Sequence, residues 1–405
     1  MKNRVCITGI GLITPSGQDK TSFWTNVAEG KNSITKIDSV PLENYPVQIA
    51  GQLQDFNVTH YVPKRFAVKT DTFTHYAWAA SKLAIEDASL DFSELSPYDV
   101  GVWFGNNAGG WDICERGLFE LYRDGPAFVN PWQATAWFLT SPQGYVSIGN
   151  NIRGMSKSFV CDRASSASAL YFATRAIQAG HNQVALVGGT EAPINPFAIT
   201  CYYETGQLAK SEGDCDVYRP FDSTRSGGVL AEGSVVLTLE NYTFAKARGA
   251  HIYGEITGGA ITTDYDPINF QHLARAQQKA LKDAGIAPED VDVIFAEGAG
   301  TLESDLAEAN AIAETFKNTP EIPVSCPKAG FGHLYGASTA ADIACGLLAA
   351  QHSIIPPTPN FLELDPAMRL YVPTKKLQAP VKHFMVEARS REGNNICLVI
   401  HCENL

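Results

Sequence analysis

An α/β fold built from two related halves is what this 405-residue sequence predicts, and three observations carry it. Short β-rich runs alternate with helical ones along the whole chain, the pattern of layered α/β architecture. Two segments share one local plan: FVCDRASSASALYFATRAIQAG and VSCPKAGFGHLYGASTAADIACGLLAA each run from a strand, through a turn, into a helix of Ala, Ser, Gly and Leu. Helices that small-sided pack closely and are buried on all faces. The composition, 45% hydrophobic and 18% charged, suits a chain with much buried surface and carries no mark of disorder.

The elements follow in order. VCITGIG, VGVWFG, SFVCD, QVALVGG and SVVLTLE read as strands of the first half, and IYGEITG, VDVIFAEG, IPVSCP and ICLVIHC as strands of the second. FQHLARAQQKALKDAG and LESDLAEANAIAETF have helical periodicity and end near Gly or a polar turn. The likeness of the two plans divides the chain into 1–250 and 251–405, between ENYTFAKARGA and HIYGEITG. No long linker separates the halves, so they are expected to form one rigid body.

Several functions are disfavoured at once. A net charge of −12 argues against general affinity for nucleic acid or an anionic membrane. MKNRVCITGIG reads as a first strand rather than a signal peptide, and no stretch approaches the roughly 18 apolar residues of a membrane span. A soluble cytoplasmic protein is expected. Nine scattered cysteines without a C-x-x-C pair fit reduced thiols, with no disulfide framework and no metal. GIGLITPSG lacks the third glycine of a dinucleotide fingerprint, so no cofactor is expected and a tight βα turn is the simpler account of Gly9 and Gly11.

The chemistry concentrates in two turns. FVCDRASSASAL leads from a strand into a helix N-terminus, where free N–H groups favour negative charge on a reactive side chain; Arg163 brings the opposite sign. SCPKAGFGHLYGA places Lys328 and His333 ahead of the second small-sided helix. These blocks, with TGIGLITPSG, RPFDSTRSGGVLAEGS, NYTFAKARGAHIYGEI and IIPPTPN, resemble the β-ketoacyl synthase family from end to end. The resemblance implies a thiolase fold: five layers, α/β/α/β/α, from two βαβαβαββ halves. Active members carry a cysteine nucleophile at the first turn. It accepts an acyl chain from a carrier protein and attacks a carbanion made by decarboxylating malonyl carrier protein, with help from two histidines.

An ungapped match from the turn to GGTEA puts the nucleophile position on Arg163. AEGAGT has Glu297 where the first histidine of the family stands, and His333 matches the second. ARSREGNN has Arg389 and Arg391 where a gating loop carries phenylalanines. Lys328 and Glu308 match what the resemblance implies is a structural ion pair. A guanidinium stays protonated and cannot act as a nucleophile, so the expectation is a non-catalytic homologue. Arg163 is expected to pair with Glu297, or with Asp162, and to plug the old pocket.

Within the family the chain most resembles the chain length factor, or ketosynthase β-subunit, of type II polyketide systems, on NPWQATAWFLTSPQGYVSIGNNIRG and GGWDIC. Position 163 departs from the glutamine common there. The resemblance implies a heterodimer with a ketosynthase α-subunit, a growing polyketide chain in an interface tunnel, and an acyl carrier protein met only through the complex. Trp111, Cys114 and Leu118, at i, i+3 and i+7, share one helical face; ordinary core packing is one account of them, and the resemblance implies the other, positions at the tunnel's far end. Trp132, Gln133 and Trp137 lie in the segment that matches the interface, Trp132 and Trp137 as plain interface or core aromatics. The alternative is an acyltransferase with a relocated nucleophile, Cys161 or one of Ser165 and Ser166. A stand-alone binding protein ranks last, because the acidic net charge opposes docking of an acidic carrier.

Overall fold

The structure is a computed structural model and describes residues 3–40, 45–211, 213–264, 266 and 268–402. The first half contributes β1 (Val5–Ile13), β2 (Val100–Gly105), β3 (Lys157–Phe159), β4 (Val184–Glu191) and β5 (Gly233–Asn241). The second contributes β6 (Gly254–Thr263), β7 (Val293–Phe295), β8 (Val324–Ser325), β9 (His383–Arg389) and β10 (Asn394–His401). Among the described residues these strands hydrogen-bond in the order β8-β7-β9-β10-β6-β1-β5-β4-β2-β3. Counted outward from the antiparallel β1–β6 seam, where Cys6 faces Glu255 and Ile7 faces Gly254, each half has the order first, fifth, fourth, second, third. The same strand order on both sides of the seam is the topological form of the repeated plan in the sequence.

Between the two halves of the sheet lie α5 (Ser165–Gln178) and α9 (Ser338–His352). They pack on each other, α5 also on β2 and β4, and α9 on β5 and β9. From Ser338 to Ala349 every residue of α9 is buried, which its small side chains permit at close helix–sheet distances. Outside, α2 (Thr72–Asp87) covers β1, β4 and β5, while α7 (Gln271–Ala284) covers β6 and β10 with α8 (Leu302–Thr315) against it. The result is the expected five-layered α/β/α/β/α body.

Four readings of the sequence change. Gly9 and Gly11 lie inside β1 rather than in a turn. Alpha-helix α2 comes so close that a Cβ would fall 2.2 Å from the Ala84 carbonyl oxygen at Gly9 and 1.9 Å from that of Ala80 at Gly11. SFVCD stops being strand at Phe159, and Val160–Arg163 form the turn. VDVIFAEG is strand only over Val293–Phe295. Strand β9, HFMVEAR, escaped notice because Glu387 and Arg389 break its apolar alternation, yet both are buried. Glu387 accepts a hydrogen bond from Gln277 Nε2 at 2.8 Å. Arg389 thus ends a strand, and the loop that follows is the tip of a β9–β10 hairpin. No helix among the described residues is long and apolar enough to cross a membrane.

Candidate functional site

The turn between β3 and α5 places Arg163. Asp162 adopts φ +50°, a left-handed conformation that Asp tolerates better than most residues. Ser165 Oγ closes the turn, donating to the Asp162 carbonyl at 2.7 Å and accepting from Cys161 N at 2.9 Å. Arg163 therefore sits buried at the N-terminus of α5, where the helix dipole disfavours a cation. Two carboxylates offset it. Glu297 Oε1 lies 3.3 Å and Asp162 Oδ2 3.5 Å from Arg163 Nε. Nε makes no hydrogen bond among the described residues, so the attraction is coulombic.

Glu297 follows β7 and faces Arg163 and His333 together. His333 Nδ1 accepts from the Tyr335 backbone N–H at 2.9 Å, which leaves the ring proton on Nε2, and Nε2 donates to Glu297 Oε1 at 2.8 Å. Burial disfavours charge on the imidazole and outweighs the raising effect of Glu297, so the pKa of His333 falls below its usual value. Burial alone would raise the Glu297 carboxyl, but the Arg163 charge and the His333 hydrogen bond overcome it and hold Glu297 well below the carboxylate range. The group is an ionised carboxylate between a guanidinium and a neutral imidazole. It contains no thiol or hydroxyl group. Its one imidazole N–H is turned to a fixed anion, so it is not free to stabilise a developing oxyanion.

Lys328 is placed otherwise than the sequence suggested. Its Nζ contacts Asp342 Oδ2 at 2.7 Å and donates to the carbonyls of Ala296 and Glu297 at 2.8 and 3.0 Å. Glu308 is not its ion-pair partner. It accepts from the backbone N–H groups of Glu297 and Gly298 at 2.7 and 2.9 Å. Burial and the neighbouring Glu297 charge push Glu308 up to about 7. Sequence reading passed over Asp342, although a lone acid in the apolar helix STAADIACGLLAA is itself a sign of a buried partner.

The hairpin tip closes the site from outside. Arg391 N–H donates to Asp162 Oδ2 at 3.0 Å, while the Arg391 side chain is exposed. Buried Arg389 donates to the Asn269 carbonyl at 2.7 Å. What remains beside Arg163 is a polar cleft of about 110 Å³ bounded by Asn107, Tyr202, Tyr335 and Arg391, large enough to hold water. Cys161 packs its side chain against the core, and its backbone N–H, not its thiol, reaches Ser165. Ser165 and Ser166 are fully buried, Ser166 Oγ accepting from Ala340 N at 3.4 Å. Among the described residues all nine cysteines are free, and no group of three or more His, Cys, Asp or Glu is arranged to hold a metal.

A second constellation lies on α3 (Trp111–Phe119). Trp111 and Cys114 are half-buried and Leu118 is exposed along the shared face. The Trp111 ring sits 5.1 Å from that of Phe197. Gln133 anchors the helix: its Nε2 donates to the Ile113 carbonyl, and its amide covers Gly117, where a Cβ would come within 2.3 Å. Trp132 lies under Lys69 Nζ at 4.5 Å, and Trp137 stacks on Phe138 at 4.8 Å. Around them Tyr122 is 83% and Phe128 68% exposed, with Phe119, Trp137 and Phe138 also exposed. Exposed aromatic side chains are thus concentrated in this stretch of chain. Tyr122 and Phe128 were not singled out in the sequence, because exposure of an aromatic leaves no local pattern.

Comparison with known proteins agrees with this architecture. The family described as beta-ketoacyl synthase, N-terminal domain, matches residues 2–245, and its C-terminal domain matches 253–362. The tetracenomycin polyketide synthase ketoacyl synthase beta subunit of Streptomyces glaucescens is 34% identical, covering 98% of each chain. The 3-oxoacyl-[acyl-carrier-protein] synthase 2 of Staphylococcus aureus is also 34% identical, over 98% of this chain and 97% of its own. Among solved structures, the ishigamide ketosynthase/chain length factor superposes with a TM-score of 0.90 at 27% identity, covering 100% of both chains. The fold and the two converging turns define a thiolase-like protein of the ketosynthase type. The chain belongs to the β-ketoacyl synthase family.

Proposed function

We propose that this protein is a non-catalytic chain length factor, the β-subunit of a type II polyketide ketosynthase. The observation that carries the proposal is the buried Arg163–Glu297–His333 group: in this reading a guanidinium takes the place of the nucleophile and a carboxylate that of the first histidine. The nucleophile is gone, and an ionised carboxylate would repel both a malonyl carboxylate and the enolate formed from it. The likeness to a ketoacyl synthase beta subunit and to a ketosynthase/chain length factor supports the same reading.

In this reading the exposed aromatic surface around α3 meets a ketosynthase α-subunit. The growing polyketide chain occupies a tunnel formed between the subunits, and the acyl carrier protein is engaged through the complex. Trp111, Cys114 and Leu118 cap the tunnel, with Trp132, Gln133 and Trp137 beside them in the interface. Nucleic acid and membrane have no part in it.

The first experiment is the native mass of the protein alone and co-expressed with candidate ketosynthase α-subunits. A stable one-to-one heterodimer is expected; a well-behaved homodimer indifferent to every ketosynthase tried would count against the proposal. In an active heterodimer Trp111→Ala should lengthen the products, and unchanged chain length would remove Trp111 from the tunnel. Acyl-thioester labelling that disappears on Cys161→Ala would favour a relocated-nucleophile acyltransferase instead.

A further inference from the structure

The β9–β10 hairpin whose tip closes over Asp162 has an unusual clasp at its open end. His383, the first residue of β9, and His401, the last of β10, are directly opposed in the ladder. His401 Nδ1 approaches His383 Nε2 at 3.0 Å, with ring centroids 4.6 Å apart and planes inclined by 32°. The nearby carboxylate of Asp292 is used elsewhere: its Oδ2 accepts from the backbone N–H groups of Lys382 and His383 at 2.6 and 2.9 Å. Both histidines are half-buried, so an aquo ion can reach them.

We infer that His383 and His401 form a two-imidazole binding site for a divalent transition-metal ion, with water completing the coordination. Two nitrogens 3.0 Å apart, each about 2.05 Å from one ion, subtend a bite of about 94°. That is a cis angle of tetragonal coordination rather than the wider angle of a tetrahedron, and it selects Cu²⁺ or Ni²⁺ over Zn²⁺. The strands fix the Cα positions, so only the imidazole torsions, which are broad, turn to bring both lone pairs to one point. The shared ring proton moves to the other nitrogen of the same ring, and no net proton is released. Bound there, the ion joins β9 to β10 at the end opposite the tip and stabilises the folded hairpin by binding the native state alone.

The test uses the full-length protein with Cu²⁺ or Ni²⁺ alone as probe. One equivalent of Cu²⁺ should give a tetragonal electron paramagnetic resonance spectrum with coupling to two imidazole nitrogens. Ni²⁺ should raise Tm by several degrees. His383→Gln and His401→Gln should each weaken binding at least tenfold and reduce the coupled nitrogens to at most one. Coupling to fewer than two nitrogens in the wild-type protein overturns the inference even if a variant fails to fold. So does a metal response that is the same in wild type and variants, or a larger Tm rise with Zn²⁺ than with Ni²⁺.

Discussion

At the residue scale, Arg163 and Glu297 stabilise the fold only as a pair. Removing one partner of a buried pair leaves an uncompensated charge and costs about 3–5 kcal/mol. Glu297→Ala should approach that loss, moderated by Asp162 at 3.5 Å from the guanidinium. The double variant Arg163→Met, Glu297→Gln should recover most of it, and urea unfolding of the full double-mutant cycle measures the coupling. Additive losses would mean that the pair does not interact. The pH dependence follows from two lowered pKa values, those of His333 and Glu297. Each is lower in the folded than in the unfolded protein, so its contribution is present above the unfolded pKa and lost as pH falls. For His333 that loss begins near pH ~6.5 and for Glu297 near ~4.3. Acid unfolding should be less steep below pH ~4.3 in Glu297→Gln than in wild type; identical profiles would rule out an ionised Glu297. If Glu297 stands in for a catalytic histidine, as proposed, Arg163→Cys alone should not restore condensation; turnover by that single variant with a malonyl carrier protein would show otherwise.

At the element scale, Gly9 and Gly11 show how a motif changes meaning. In the sequence they look like a turn; in the structure they let α2 rest on β1. Gly9→Ala or Gly11→Ala should cost at least the 1–3 kcal/mol typical of overpacking, because backbone carbonyls, not flexible side chains, stand in the way. Gly144 in α4 (Ser141–Gly149) has nothing within 4 Å of a built Cβ, so Gly144→Ala should stabilise by up to ~1 kcal/mol. Urea midpoints of the three variants decide between these opposite signs. Much of the element order was legible, since VGVWFG and QVALVGG are apolar runs and α7 and α8 have clear helical periods. Strand β9 was not. Its buried Glu387 and Arg389 depend on Gln277 and Asn269 from elsewhere in the chain, and a local pattern cannot announce such partners.

At the scale of the whole molecule, the described chain leaves a face rich in aromatics around α3, with Tyr122, Phe128, Trp137 and Phe138 exposed. Neither a buried core nor the seam between the halves uses it. The double variant Tyr122→Lys, Phe128→Glu should keep the monomer's fold and weaken ketosynthase association at least tenfold, read by native mass across a dilution series. Unchanged association would place the interface elsewhere.

The sequence by itself determined the α/β alternation, the repeated strand–turn–helix plan and the presence of a guanidinium at position 163. These are local properties: periodicity is set over a few turns of chain, and a guanidinium is not a nucleophile in any fold. Only the tertiary structure decided that Lys328 faces Asp342 rather than Glu308, that His333 presents Nε2–H to Glu297, and that Asp162 receives the hairpin tip through Arg391 N–H. Those contacts bring distant stretches of chain together. They follow from how α5 and α9 seat between the two halves of the sheet, and no spacing along the chain encodes them.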